Sequence, residues 1–380
     1  MQNQAATATY KTQNVTWRAA TRQFDDWTFK GTKLSGGALI FDPKSAWSEQ
    51  DTYAPGEYNS HNFFNGSTFY MGEATGPVVE TDFGFTEGIA SWNAETPDGT
   101  WVEAQLRVKV EERWTKWYSM GIWASGSSTI ERHSVSDQDD SDAVVDTDTV
   151  ILQNGSEASA FQVRLRIFSV HPTISPQVRG AAAAISTTPR KPSELQRGNP
   201  KLWGRRLPVP QCSQMVYPDG GNVWCSAVSV AMVLAYWAGD LESPCEQRVR
   251  ATVEGVYDWL YDGHGNWPFN TAYAAGHELE GYVMRFTSLA EAEPWIERGV
   301  PVIISYAWTD GDLEGAAVLS SDGHLGVLVG FDSEGNPVVN DPAAKTDAAV
   351  QRTYPRAQLE ILWLQHSGGT VYIIAPSGEW

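Results

Sequence analysis

The stretch VPQCSQMVYPDGGNVWCSAVSVAMVLAYW, residues 209–237, decides how this chain reads. Its second half, from Cys225 on, is a long, apolar, Ala-rich run of the kind that forms a buried helix. Its first half ends in YPDGGNVW, residues 217–224, a loop that leads into the helix and offers Asp219 and Asn222 as caps. Cys225 therefore stands at a helix N-terminus, where unpaired amides and the helix dipole favour an anion. The thiolate is the attacking form of cysteine, and a free thiol has a pKa of about 8.5, so a nucleophile needs such help. A helical cysteine without partners is only a small hydrophobe. The residues that Cys225 would need decide between the two readings.

A cysteine nucleophile needs an imidazole to form an ion pair and protonate the leaving group, and a third group to orient that imidazole. His324 opens the apolar run HLGVLVGF (324–331) directly after SSDG (320–323). The turn DSEGNP (332–337) follows, then VVND (338–341), which ends on Asp341. This is a hairpin by its turn chemistry, and it brings His324 and Asp341 to the same sheet edge. Neighbours on a strand face opposite sides, so only one of Asn340 and Asp341 can meet the imidazole. Helices are also expected over residues 244–261, 268–279 and 289–298, with strands at PVIISYAW (301–308) and GGTVYIIAP (368–376). Helices first and strands later make an α+β domain.

In combination these segments resemble the bacterial papain-like cysteine peptidases related to bacteriocin-processing peptidases. The nucleophile segment 209–237, GHLGVLVGF, VVNDPA and the ending YPRAQLEILWLQHSGGTVYIIAP carry the resemblance, which covers about residues 207–376. Ser226 and Ala227 follow the cysteine where Gly–Pro is frequent in the family. The resemblance implies a glutamine whose side chain donates to the developing oxyanion together with the Cys225 backbone N–H. Gln214 matches that position and Gln211 is its rival. It favours Asp341 as the orienting group, and it makes GNWPFNTAY (265–273) one wall of the cleft.

Residues 1–188 read differently. Short aromatic or alternating runs such as GGALIFDP, GSTFYMGE, TWVEAQLRVKVEE, WYSMGIWASG and AFQVRLRIFSV are separated by turn residues. Their spacing suggests an antiparallel β-sandwich, jelly-roll-like. PRKPSELQRGNPKLWGRR (189–206) reads as a polar, Pro-rich linker, and 207–380 as the papain-like domain. With no strong apolar pattern in the linker, residues 205–380 are expected to fold alone.

The chain has 380 residues, 42% of them hydrophobic, which suits two or three packed domains and argues against disorder. A formal net charge of −19 repels nucleic acid and anionic membranes. No apolar run is long enough to span a membrane. The start MQNQAATATYKTQ shows no signal peptide, although a mature secreted form would read the same. Cys212 and Cys245 are either buried thiols or, in a secreted protein, a mutual disulfide. No CxxC, GxSxG, P-loop or GxGxxG occurs. His264, in DGHGN, reads as a solvated turn, and His61, His133, His171 and His366 have no companion motif. His277–Glu278 lacks the second histidine of a zinc-peptidase motif. The acidic stretch SDQDDSDAVVDTDT (136–149) is a solvated loop or, less simply, a calcium ligand set. The 17 Trp read mostly as core, with a stacking platform for sugar or peptide as the alternative for those of SWNAETPDGTW and RWTKWY.

The expectation is a secreted or envelope-associated cysteine peptidase that uses Cys225, His324, Asp341 and Gln214, with no metal or organic cofactor. Its partner is a peptide or protein substrate, and the first domain would recruit substrate or a cell-surface polymer. The alternatives are a papain-like amidase or acyl transferase acting on cell-wall peptides, or an inactive papain-like binding or adhesion protein.

Overall fold

The computed structural model describes residues 9–50, 68–192 and 194–378. Gly66 and Ser67 of one quoted strand motif, His61, and the first eight residues lie outside them.

The turn-punctuated runs before residue 188 form two antiparallel sheets. In one, Glu87–Glu95 and Gln177–Ser186 are central, with Thr12–Arg18 also paired to Gln177–Ser186. The hairpin Ala143–Asp146/Thr149–Leu152 extends this sheet from Glu87–Glu95. In the other, Thr100–Val110 and Ala158–Ser169 form the longest ladder, flanked by Thr68–Thr75 and Tyr118–Trp123. Between the sheets lie Leu106, Val108, Phe161, Val163, Leu165, Ile185 and Trp92. Alternation along these strands produces that core: every second residue of LRV and FQVRL points in, while Arg107 and Arg164 stay on the outer face.

The second half packs five helices against one antiparallel sheet. The sheet runs Glu280–Arg285, Thr370–Ala375, Val302–Trp308, Ser321–Phe331, Pro337–Asn340, Gln351–Thr353. Helix α1 is Cys225–Trp237, α2 Glu246–Val256, α3 Trp267–Ala275, α4 Glu293–Glu297 and α5 Arg356–Ser367. Residues 226–235 of α1 are all buried, as an apolar run without a polar stripe requires.

Several expectations need correction. Helix α2 ends at Val256, not near 261, because Asp258 becomes a turn centre. One Asp258 oxygen accepts from the amides of Ser134, Leu260 and Tyr261, and the other accepts from the Asn266 side chain. The segment read as a linker holds a short 3-10 turn, Pro200–Leu202, and its end, Arg205–Arg206, pairs with Ser321–Phe331. Of the two alternatives left open for Cys212 and Cys245, the structure has the disulfide, across a separation of 33 residues.

The two halves also share their core, contrary to the expectation of independence. Phe269 and Ala272 of α3 pack within the sandwich core, and Ile89 and Ala182 of the sandwich pack within the second core. Phe269 meets Trp92 and Trp123 at ring-centroid distances of 6.1 and 5.4 Å. Gly121, at φ +124°, is where Phe269 enters: a Cβ there would lie 2.8 Å from the ring. Glu280–Arg285 is an edge strand, and its outward N–H groups are taken by sandwich side chains. Asn93 accepts from Gly281 at 2.7 Å, Ser91 from Val283 at 3.2 Å, and Asn14 from Arg285 at 2.9 Å. The Asn14 amide returns a bond to the Arg285 carbonyl at 2.8 Å. A buried donor left unmade costs about 1–3 kcal/mol, so this side-chain ladder matters to both halves. The Arg285 guanidinium crosses the same boundary to Glu87 at 2.6 Å, both buried.

Candidate active site

Cys225 is the first residue of α1, preceded by Trp224 in the cap position. No side chain caps the helix, contrary to the expectation for Asp219 and Asn222. Asp219 instead binds Arg250 at 2.7 Å. The amides at this helix start have no side-chain cap, and the backbone of Ser226 and Leu325 favours a thiolate at Cys225. Helix α1 is held there by the Ser229 hydroxyl donating to the Leu325 carbonyl at 3.2 Å, beside His324 in the strand.

His324 lies in the strand Ser321–Phe331, opposite Tyr306 in the register with Val302–Trp308. Tyr306 and Trp308 meet its ring edge-on at 5.3 and 5.4 Å and hold its plane. Its Nε2 pairs with Asp341 Oδ1 at 2.8 Å. That leaves Nδ1 free of the carboxylate, and the Cys225 side chain is among the groups that favour charge on the imidazole. Asp341 is fully buried and saturated. Oδ1 also accepts from the Ala343 amide at 2.9 Å, and Oδ2 accepts from the hydroxyls of Tyr306 at 3.1 Å and Tyr354 at 2.6 Å.

Asn340, as strand geometry demands, faces elsewhere. Its amide donates to the carbonyls of Val209 and Pro210, both at 3.1 Å, and pins the approach to the nucleophile loop. Gln214 begins a 3-10 turn, Gln214–Val216, and its backbone N–H donates to the Pro342 carbonyl at 2.8 Å, next to Asp341. The loop then folds back on it, and Gly221 has no room for a Cβ, which would meet the Gln214 carbonyl oxygen at 1.9 Å. Gln214 is 3% exposed and lines the same cleft as Cys225 and His324. Gln211 is exposed and does not line it.

The electrostatics follow from these contacts. Burial opposes charge on His324, but the Asp341 carboxylate and the Cys225 side chain outweigh it and hold the imidazole up at about 10. Burial likewise opposes a thiolate, and His324 with the two backbone donors outweighs it, so the Cys225 pKa falls below the ordinary thiol value. Burial would raise Asp341, yet His324, Tyr354 and Ala343 bring it down to about 2. The favoured state is a thiolate–imidazolium pair with an ionised carboxylate behind it, poised for attack on a carbonyl carbon.

The cleft has a volume of about 1000 Å³, and the sandwich forms part of it. The turn of residues 146–149, between the two strands of its outlying hairpin, lies on the wall with Glu87 and Ile151. Asp148 is buried there and accepts from the Trp267 amide at 2.6 Å. Burial pushes its carboxyl up to about 7. Sequence reasoning placed this turn in a solvated acidic loop, with nothing to bring it to Cys225. Asp140 and Asp142 of that loop are bound to Lys116 and Arg113. No group of three or more His, Cys, Asp or Glu that could hold a metal is found among the described residues. His264 is not a solvated turn residue: it is half-buried in the cleft wall, 6.1 Å from the Trp224 ring, and burial lowers its pKa to about 4. Tyr306 and Tyr354, the donors to Asp341, were not singled out. Tyr354 lies in the quoted ending YPRAQLEIL, where its role had no signal.

Two family models match. Residues 13–186 match the Peptidase C39 N-terminal domain, and residues 206–371 match the Peptidase_C39 like family. No curated protein matches the chain. Among solved structures, one described as "Structural basis for the promiscuous specificity of the carbohydrate-binding modules from the beta-sandwich super family" is 10% identical. The match covers 47% of this chain and 57% of that one, with a TM-score of 0.15, too low to carry an argument.

Proposed function

The chain belongs to the C39-like cysteine peptidases, and from that premise we propose that it hydrolyses peptide bonds through Cys225, His324, Asp341 and Gln214. The observation that carries the reading is the His324–Asp341 hydrogen bond at 2.8 Å, with the buried carboxylate behind an imidazole that shares one cleft with Cys225 at the start of its helix. The Cys225 thiolate adds to the scissile carbonyl carbon, and the carbonyl π pair moves onto oxygen. The Gln214 side-chain amide and the Cys225 N–H stabilise that oxyanion. As the tetrahedral species collapses, His324 gives its Nδ1 proton to the departing amine and a thioester remains. Neutral His324 then takes a proton from water, whose oxygen attacks the thioester, and the thiolate leaves. Asp341 keeps Nε2–H fixed throughout, so that Nδ1 faces the sulfur.

The geometry disfavours an inactive binding protein, because a buried thiol and imidazole without a task have no need of a saturated carboxylate behind them. We also propose the division 1–188, 189–206 and 207–380, with a sandwich that recruits substrate or a surface polymer. A secreted or envelope-associated site is supported by the Cys212–Cys245 bridge, since disulfides persist in oxidising compartments. The test is Cys225→Ala together with labelling by an epoxide probe of cysteine peptidases. Label on Cys225 and loss of hydrolysis in a folded variant are expected. Activity within tenfold of wild type would refute the mechanism.

A further inference from the structure

Around the nucleophile the exposed charge of the cleft is negative. Asp146, Asp262 and Asp322 line it, and all three are exposed. Among the described residues, Arg285 is the one Lys or Arg side chain lining it, and it is buried against Glu87 at 2.6 Å. The other two imidazoles of the cleft add no positive charge at neutral pH. Burial brings His264 down to about 4, and burial also lowers His366. The thiolate–imidazolium pair is itself neutral overall.

The same cleft has exposed apolar side chains in its lining. Met215 is 43% exposed, Val223 59% and Tyr261 50%. Long exposed apolar surface next to carboxylates matches a side chain with an aliphatic stem and a cationic end. Tyr261 adds an aromatic face that such a cation can approach. Gln214 lines the same cleft, 3% exposed, and its buried Oε1 has no hydrogen-bond partner among the described residues.

We propose that the turn of residues 146–149 of the sandwich, with Asp262 and Asp322, makes this cleft select a cationic peptide. A Lys or Arg side chain, or a terminal ammonium, binds beside the scissile bond. The sandwich thereby contributes directly to specificity at the catalytic centre. Asp148 is a positioning residue: its bond to the Trp267 amide docks the turn on the start of α3 and presents Asp146 to the cleft. The proposal rests on Cys225 being the nucleophile.

The test uses the full chain and three thiol reagents of similar reach. These are methyl methanethiosulfonate, its trimethylammonioethyl analogue and its sulfonatoethyl analogue. Cys225 is the free thiol, the other two cysteines being bridged, so mass spectrometry reads a single site. The ratio of cationic to anionic rate is compared with the same ratio for 2-mercaptoethanol. A cleft that focuses negative potential raises rates by about 10- to 1000-fold, so at least a tenfold excess is expected at low salt. It should shrink as salt shortens the screening length to about 3 Å at 1 M. Asp146→Asn should lower it several-fold, read against the neutral reagent. A ratio within about threefold of the reference thiol, or one unmoved by both salt and Asp146→Asn, overturns the proposal. Failure of all three reagents to modify Cys225 at pH 7 overturns the nucleophile reading, and the proposal with it. Fluorogenic peptides carrying Lys, norleucine or Glu, each with a free or acetylated N-terminus, separate a side-chain cation from a terminal one. A flat kcat/KM across that set also overturns it.

Discussion

Asp341→Asn tests the electrostatic argument with the least disturbance. Asparagine keeps one oxygen for the His324 Nε2–H and the Ala343 amide, and presents its amino group to the hydroxyls of Tyr306 and Tyr354, which rotate to accept. The shape survives and the charge goes. Burial alone pushes His324 towards the neutral form, and the Asp341 carboxylate is the first of the groups that reverse this. Without it the imidazolium is lost at neutral pH, and the Cys225 thiolate loses its counter-ion. An ordinary thiol of pKa about 8.5 is roughly 0.3% ionised at pH 6, so a fully formed ion pair reacts up to about 300 times faster there. The assay is the rate of iodoacetamide modification of Cys225 from pH 5 to 10. Because the Cys225 pKa is lowered, the wild-type rate should persist as pH falls below the ordinary thiol range. Because the His324 pKa is raised to about 10, the ion pair should dissolve only as pH climbs through that value. In Asp341→Asn the rate at pH 6 should fall by one to two orders of magnitude and rise about tenfold per pH unit. A variant that keeps the wild-type rate at pH 6, with its fold intact by circular dichroism, would show that Asp341 does not sustain the pair.

Gln214→Ala should lower kcat by about 100- to 1000-fold with little change in KM, because the donor acts on the transition state, whereas Gln211→Ala stays within a few-fold; steady-state kinetics on one fluorogenic peptide decides. Phe269→Ala should cost about 3–5 kcal/mol in denaturant titration and expose both cores, since the ring sits between Trp92 and Trp123. Reduction of Cys212–Cys245, which closes a separation of 33 residues, should cost about 4 kcal/mol on loop entropy, measured as the shift of the urea midpoint under a phosphine reductant.

The sequence was most legible where chemistry is ordered along the chain. Cys225 begins an apolar helix, His324 begins one strand of a hairpin, and Asp341 follows the other, so local rules bring His324 and Asp341 together, while the order of motifs along the chain and the family resemblance add Cys225. The choice of Gln214 over Gln211 needed the fold-back of residues 215–224, which rests on the close approach of Gly221. The end of α2 was misread because VYDWLYDG has helical-looking spacing, while the amides that Asp258 collects come partly from Ser134, more than a hundred residues away. The cleft wall of residues 146–149 was illegible for the same reason. Its acidic composition is what a solvated loop shows, and only the pairing of its hairpin with Glu87–Glu95 carries it to Cys225. Phe269 lay in a motif assigned to the cleft, yet its ring points the other way, into the sandwich.

The side-chain ladder of Asn14, Ser91 and Asn93 on the Glu280–Arg285 strand ties the histories of the two halves together. Most fused modules can be exchanged between proteins because their junction is a flexible tether. Here a foreign module in place of the sandwich would have to supply three polar side chains at the spacing of alternate strand residues, or leave a raw strand edge that recruits other chains. A lineage that carries this second half is therefore constrained to inherit the sandwich with it.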